Sequence, residues 1–134
     1  MNDLKRLPYS EDEKMNDLKT LTHLRDEIFE TNISLNVKNN EVIVSGDVVS
    51  ISDYWLIKEK VINLVEKGNK EIIITFNDAE FLSSSIIGFF LKLVLKDRIN
   101  LKLKAKNPQF RSFMEILGLV KTFQIENNIN YTAS

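Results

Sequence analysis

Three consecutive hydroxyls, Ser83-Ser84-Ser85, are the residues of this chain best placed to do chemistry. They follow Glu71-Ile72-Ile73-Ile74-Thr75-Phe76, a β-branched apolar run with no helical period that reads as a core strand. Behind them, Ile86 to Leu95 is too long and too apolar for another strand and holds no breaker except Gly88. A strand-to-helix joint leaves free N–H groups at the helix start, and serine oxygens cap them. The same positive helix end favours a phosphoryl group placed on one of the hydroxyls. Capping and phosphoryl acceptance are therefore the two chemistries open to this cluster.

Other chemistries lack their residues. The chain has no cysteine and one histidine, His23, so neither disulfides nor a thiolate zinc site can form, and no metal centre or cofactor is expected. No Ser-His-Asp arrangement can be assembled around a single remote histidine, and four glycines form no phosphate-binding loop. Asp78 and Glu80 form a carboxylate pair in a loop with nothing to suggest acid–base work. The expectation is a non-enzymatic domain. A formal net charge of −1 argues against general attraction to nucleic acid or anionic membrane. Lys92, Lys96, Arg98, Lys102, Lys104, Lys106 and Arg111 make a local basic bias that reads as a solvated helix end and strand face. The most apolar segment is too short to span a bilayer, and the N-terminus does not read as a signal peptide, so a cytoplasmic location is expected.

The elements that must position the serines follow from periodicity. With 134 residues and 43% hydrophobic content there is room for one domain with a real core. Ser10 with Glu13 fits a capping box, and Met15, Leu18, Leu21, Leu24 and Ile28 then form one apolar stripe. Residues 1–31 thus read as an N-terminal helical extension, within which Met1–Lys5 recurs as Met15–Lys19. Ile33, Leu35 and Val37 alternate with polar residues, and Asn39-Asn40 suits a two-residue turn into Val42–Val44. Ser52 or Asp53 is expected to cap a helix that stops at Gly68. Tyr54 and Trp55 at its start read as core. Strand 71–76 and helix 84–96 come next, then an edge strand in which Leu101 and Leu103 alternate with lysines. Asn107 and Pro108 open a last helix with Phe110, Phe113, Met114 and Leu117 inward, and Gly118 closes it. Phe123 and Ile125 are expected to form a final short strand.

The predicted order is β-β-α-β-α-β-α-β, an α/β class with a small mixed, largely parallel sheet and packed helices over residues 32–128, then a loose tail over 129–134. Helix 84–96 is apolar nearly all round and must be covered on two sides. The stripe of the N-terminal helix is the expected second cover.

The run Asn77-Asp78, Phe81, Ser83-Ser84-Ser85-Ile86-Ile87-Gly88 after a strand resembles the signature of the STAS domain family, which includes the anti-sigma factor antagonists. The late segment, Pro108 through Phe113 and Leu117-Gly118-Leu119 before Phe123-Gln124-Ile125, resembles that family's closing helix and strand. The likeness covers Ile33 to about Asn127 and implies the same small mixed sheet. Carried over by position, the family's phosphoacceptor serine falls on Ser84 and its second hydroxyl on Ser85. The Asp before the acceptor is Ser83 here, and the Gly after the pair is Ile86. A further acidic position falls on Val49, with Asp47 close by.

The resemblance implies a regulatory interaction module working in a partner switch. A serine kinase of the anti-sigma type would bind the unmodified chain and modify Ser84, and a serine phosphatase would reset it. Partner contacts are expected at Asp47, Ser52, Ser83, Ser84, Ser85, Ile86, Ile87 and Phe89, and a homodimer is compatible with this reading. The alternative is a STAS accessory subunit of a membrane lipid-transport ATPase complex, which needs no phosphoserine and fits the changes at Ser83, Ile86 and Val49.

Overall fold

Alternation along the strands decides which side of the sheet is covered. A computed structural model of the chain describes residues 31–126, and the expectations for residues 1–30 (the N-terminal helix and its role as a cover) and for the tail lie outside them. The described part runs β1 (Ser34–Lys38), β2 (Glu41–Ser45), α1 (Ile51–Glu66), β3 (Glu71–Phe76), α2 (Ser84–Leu95), β4 (Asn100–Ala105) and α3 (Pro108–Leu117). The strands form one sheet in the order β1-β2-β3-β4. β1 and β2 are antiparallel, and β2, β3 and β4 are parallel. A helix between successive parallel strands is the connection such a sheet requires.

Register places Val42, Ile74 and Leu103 in one row across the sheet, with Val44, Phe76 and Ala105 in the next. These rows and the Ile72–Leu101 pair lie on one face, and all but the half-buried Ala105 are buried. The core therefore sits between this face and the helices. Phe110 of α3 stacks on Phe76 with centroids 5.2 Å apart, fixing α3 over the strand that leads to the serines.

Turns and caps follow the expected residues in most places. Asn39 takes φ 53° in the two-residue turn between β1 and β2. Asn107 accepts from the Gln109 N–H at 2.9 Å with Pro108 next, and Gly118 at φ 72° ends α3. The α1 cap differs. Ser50, rather than Ser52 or Asp53, is the N-cap, and Asp53 completes a capping box with it.

The expected final strand does not form. Gln124 has φ 53°, which an extended strand cannot contain. The segment turns through 120–124, where the Phe123 N–H donates to the Leu119 carbonyl and the Ile125 N–H to the Val120 carbonyl. It still closes the sheet: the Leu103 N–H donates to the Phe123 carbonyl at 2.9 Å, and Gln124 Nε2 donates to the Leu101 carbonyl at 3.1 Å and to Asn100 Oδ1. Phe123 and Ile125 are buried as the alternation implied. A second difference lies on α3, where Phe110 and Met114 are buried, Phe113 is half-buried and Leu117 is exposed.

α2 is covered from several sides. Ile86, Phe89, Phe90 and Leu93 are buried, while Ser85, Gly88, Lys92 and Leu95 form one exposed stripe along it. Phe90 meets Phe123 edge-on at 6.0 Å, so the C-terminal segment covers one flank of α2. On the α1 side, Lys58 Nζ sits 4.9 Å from the Trp55 ring centre, 5.6 Å from Tyr54 and 5.5 Å from Phe89 of α2. Tyr54 and Trp55 are half-buried there, Tyr54 packed against the core.

Candidate functional site at the serine joint

Ser83 caps α2 from an extended conformation, φ −71° and ψ 162°, and its Oγ accepts from the Ile86 N–H at a long 3.5 Å. Its carbonyl accepts from the Ile87 N–H at 3.1 Å. Ser84 and Ser85 are the first two residues of the helix, and all three serines are exposed. The first turn contains no acidic residue. A phosphoryl group on Ser84 would meet the positive helix end without a like charge in that turn.

The loop before the serines is tied to the end of β2. The Gly46 N–H donates to Asp78 Oδ2 at 2.6 Å, Asn77 Nδ2 donates to Ser45 Oγ at 2.9 Å, and the Asn77 N–H donates to the Val44 carbonyl at 2.8 Å. Asp78 thus holds the loop in place, and Glu80 takes no part in these ties. Gly46 has φ 98°, and a Cβ there would collide with the Asn32 carbonyl oxygen.

The β2–α1 loop is held by a residue whose weight sequence reasoning missed. Asp53 is fully buried and accepts three backbone N–H groups, each at 3.0 Å: Asn32 on Oδ1, and Val49 and Ser50 on Oδ2. In return the Asp53 N–H donates to Ser50 Oγ at 3.1 Å. The spacing Ser50-x-x-Asp53 was the available signal.

Together these ties bring the two loops to one recess of about 140 Å³, lined by Asp47, Val48, Val49, Ala79, Glu80 and Phe81. Two of the lining side chains, Val49 (64% exposed) and Phe81 (54%), are large, apolar and open to solvent, and Ile51 (53%), the first residue of α1, is exposed two positions after Val49. Phe81 leans on Phe113 of α3 with centroids 6.1 Å apart. Two carboxylates, Asp47 and Glu80, line the same recess, although neither occupies the positions of Ser83 or Val49.

Of the expected contact residues, Asp47, Ser83, Ser84 and Ser85 are exposed and Ile87 is half-buried. Ser52, Ile86 and Phe89 are buried, Phe89 at the wall of a groove between α1 and α2 that Tyr54, Lys58 and Lys92 also line. The Ser52 Oγ has no hydrogen-bond partner among the described residues. The large apolar side chains exposed in these loops and at the start of α1 are instead Val49, Ile51 and Phe81. No cluster of His, Cys, Asp or Glu among the described residues could hold a metal ion, and no helix among them is long and apolar enough to cross a membrane.

The fold agrees with what is found among known proteins. The crystal structure of an anti-sigma factor antagonist from Mycobacterium paratuberculosis shares the fold with a TM-score of 0.54 and 18% sequence identity, over 73% of this chain and 86% of that one. A comparison with curated proteins gives no match. The family model for the STAS domain matches residues 48–131, from the β2–α1 loop past the serine joint to the C-terminal segment. With more than half its length matched, the chain belongs to the STAS domain family.

Proposed function

We propose that this chain is a non-enzymatic regulatory module of the anti-sigma factor antagonist type, whose serine joint docks on a serine-kinase or anti-sigma partner. The observation that carries this reading is the exposed apolar trio Val49, Ile51 and Phe81, two of which, Val49 and Phe81, line one recess, with Phe81 two residues before the three exposed serines. Exposed apolar side chains grouped on one surface mark a protein contact, and an aromatic among them supplies its anchor. Ser84 is the phosphoacceptor. Modification adds about −1.5 to −2 charges beside that surface, and since the helix start tolerates the charge, its effect falls on the docked partner. A serine phosphatase restores the binding form.

The alternative, an accessory subunit of a membrane lipid-transport ATPase complex, is favoured by one observation. The exposed apolar trio needs no phosphate to make a contact, and Ser83 already has a role as the helix cap.

Affinity purification from the native cell, with the wild type beside Phe81→Ser and Val49→Ser, tests the reading. Recovery of a serine kinase or phosphatase by the wild type, with loss in both variants, is the expected result. Recovery of a transport ATPase or permease assigns the accessory role. Equal capture by folded variants would show that the trio is not the docking surface.

A further inference from the structure

The two edges of the sheet are finished differently. On β4 the outward groups are occupied: the Leu103 N–H and the Leu101 carbonyl are bonded to Phe123 and Gln124, and Lys102 and Lys104 flank them. On β1 the directions can be read from the neighbouring strand. The Asn40 and Val44 carbonyls accept from Ile73 and Asn77 on the β3 side. Glu41, Ile43 and Ser45 therefore address β1, and their partners Lys38, Asn36 and Ser34 address β2. The N–H and C=O groups of Leu35 and Val37 point away from the sheet, and among the described residues nothing pairs with them. Val37 is 40% exposed on the helix-bearing face.

We infer that β1 pairs with β1 of a second copy of this chain, antiparallel about a two-fold axis at Asn36. The strand is complementary to itself in that register. Leu35 faces the partner copy's Val37, the hydrogen-bonded pair their outward groups require, and the symmetric pair repeats it, giving about four interchain bonds. Both apolar side chains fall on the helix-bearing face, so Val37 gains cover. Ser34 faces Lys38, so no like charges oppose each other. Asn36 meets Asn36 on the other face, at the close spacing of a non-hydrogen-bonded pair, where two amides can bond. A strand edge that lacks lysines in its middle, has no bulge or proline and is uncovered among the described residues is the kind that joins another strand. The contact is small, so the dimer is a weak, concentration-dependent one. It involves neither the serines nor the recess, and it stands whether or not the docking reading holds.

Sedimentation velocity of the full chain over a rising concentration series tests this. The wild type should associate reversibly to a dimer. Val37→Pro removes only an outward N–H and leaves the hairpin ladder intact, so it should weaken the dimer tenfold or more, whereas Val37→Thr should not. Asn36→Lys and Asn36→Asp should each be monomeric alone and should form a heterodimer when mixed, because the two side chains meet at the axis. A wild type that stays monomeric at every concentration overturns the inference. So does a dimer that survives Val37→Pro in a variant whose circular dichroism and melting are unchanged, or one that no charge pair restores.

Discussion

Removing the Asp53 carboxylate should loosen the loop that carries one side of the recess, and the size of the effect follows from its three bonds. Asp53→Ala orphans the N–H groups of Asn32, Val49 and Ser50. A fully buried orphan costs about 1–3 kcal/mol, and because Val49 and Asn32 are exposed, water repairs part of the loss, leaving about 1 kcal/mol each and about 3 kcal/mol in all. That is a large share of the roughly 5–15 kcal/mol stability of an ordinary domain. For a domain of this size it lowers Tm by roughly 10–20 °C. Asp53→Asn keeps one acceptor oxygen but sets an amide donor against one backbone donor, so its cost should be intermediate, about 1–2 kcal/mol. Ser50→Ala removes the reciprocal cap and should cost about 1 kcal/mol. Because Ser50 and Asp53 act as one box, the double variant should fall short of the sum by at least about 0.5 kcal/mol. Urea denaturation of the four chains closes this cycle, and hydrogen exchange should show faster exchange at Val49 and Ser50 in Asp53→Ala. An Asp53→Ala chain within about 1 kcal/mol of wild type, or a strictly additive cycle, would refute the view that this carboxylate holds the loop.

Three further outcomes follow from local geometry. Gly46→Ala combines a left-handed backbone with a collision against the Asn32 carbonyl and should cost at least about 3 kcal/mol, while Gly118→Ala, with open space at its Cβ, should cost about 1–2 kcal/mol. Equal melting points for these two variants would contradict the close approach at Gly46. Glu126 titrates below its ordinary value, held there first by its hydrogen bond to Lys102 at 2.7 Å and then by the charges of Lys102 and Lys104. Its small contribution to stability is therefore present above the unfolded carboxylate pKa and lost as pH falls through the lowered one. Lys102→Met should move the Glu126 carboxyl titration upward in an NMR pH series, and an unmoved midpoint would break the assignment. Phe81→Ala removes an exposed ring with one aromatic neighbour, so thermal melting should register about 1 kcal/mol or less; a cost of several kcal/mol would mean that Phe81 serves the fold rather than a surface.

The fold was legible where side-chain period and backbone demand coincide. Leu101 and Leu103 alternate with lysines as a half-buried strand must, and Asn39, Asn107 and Gly118 stand where the backbone needs a positive φ, a cap or a stop. Where the two part, the reading failed. Phe123 and Ile125 have the spacing of a strand, but burial needs only their side chains to point inward, and Gln124 is free to turn the backbone between them. The same ambiguity affected the site. Along a helix as apolar as α2, type alone cannot say that Ile86 and Phe89 face the core while Gly88 and Lys92 face out, because that depends on how α1 and Phe123 flank it. Phe81, Val49 and Ile51 lie in or next to loops without period, so their exposure comes from tertiary ties at Asp53 and Asp78 that span distant parts of the chain. The serine cap was legible because capping is local.

The most direct test is to incubate the chain with the partner it captures and ATP, map the modified residue by mass spectrometry, and titrate binding of the product. The account predicts phosphate on Ser84, none on Ser84→Ala, and at least a tenfold loss of partner affinity in the modified chain and in Ser84→Asp. Phosphate elsewhere, or unchanged affinity after complete modification of Ser84, would contradict it.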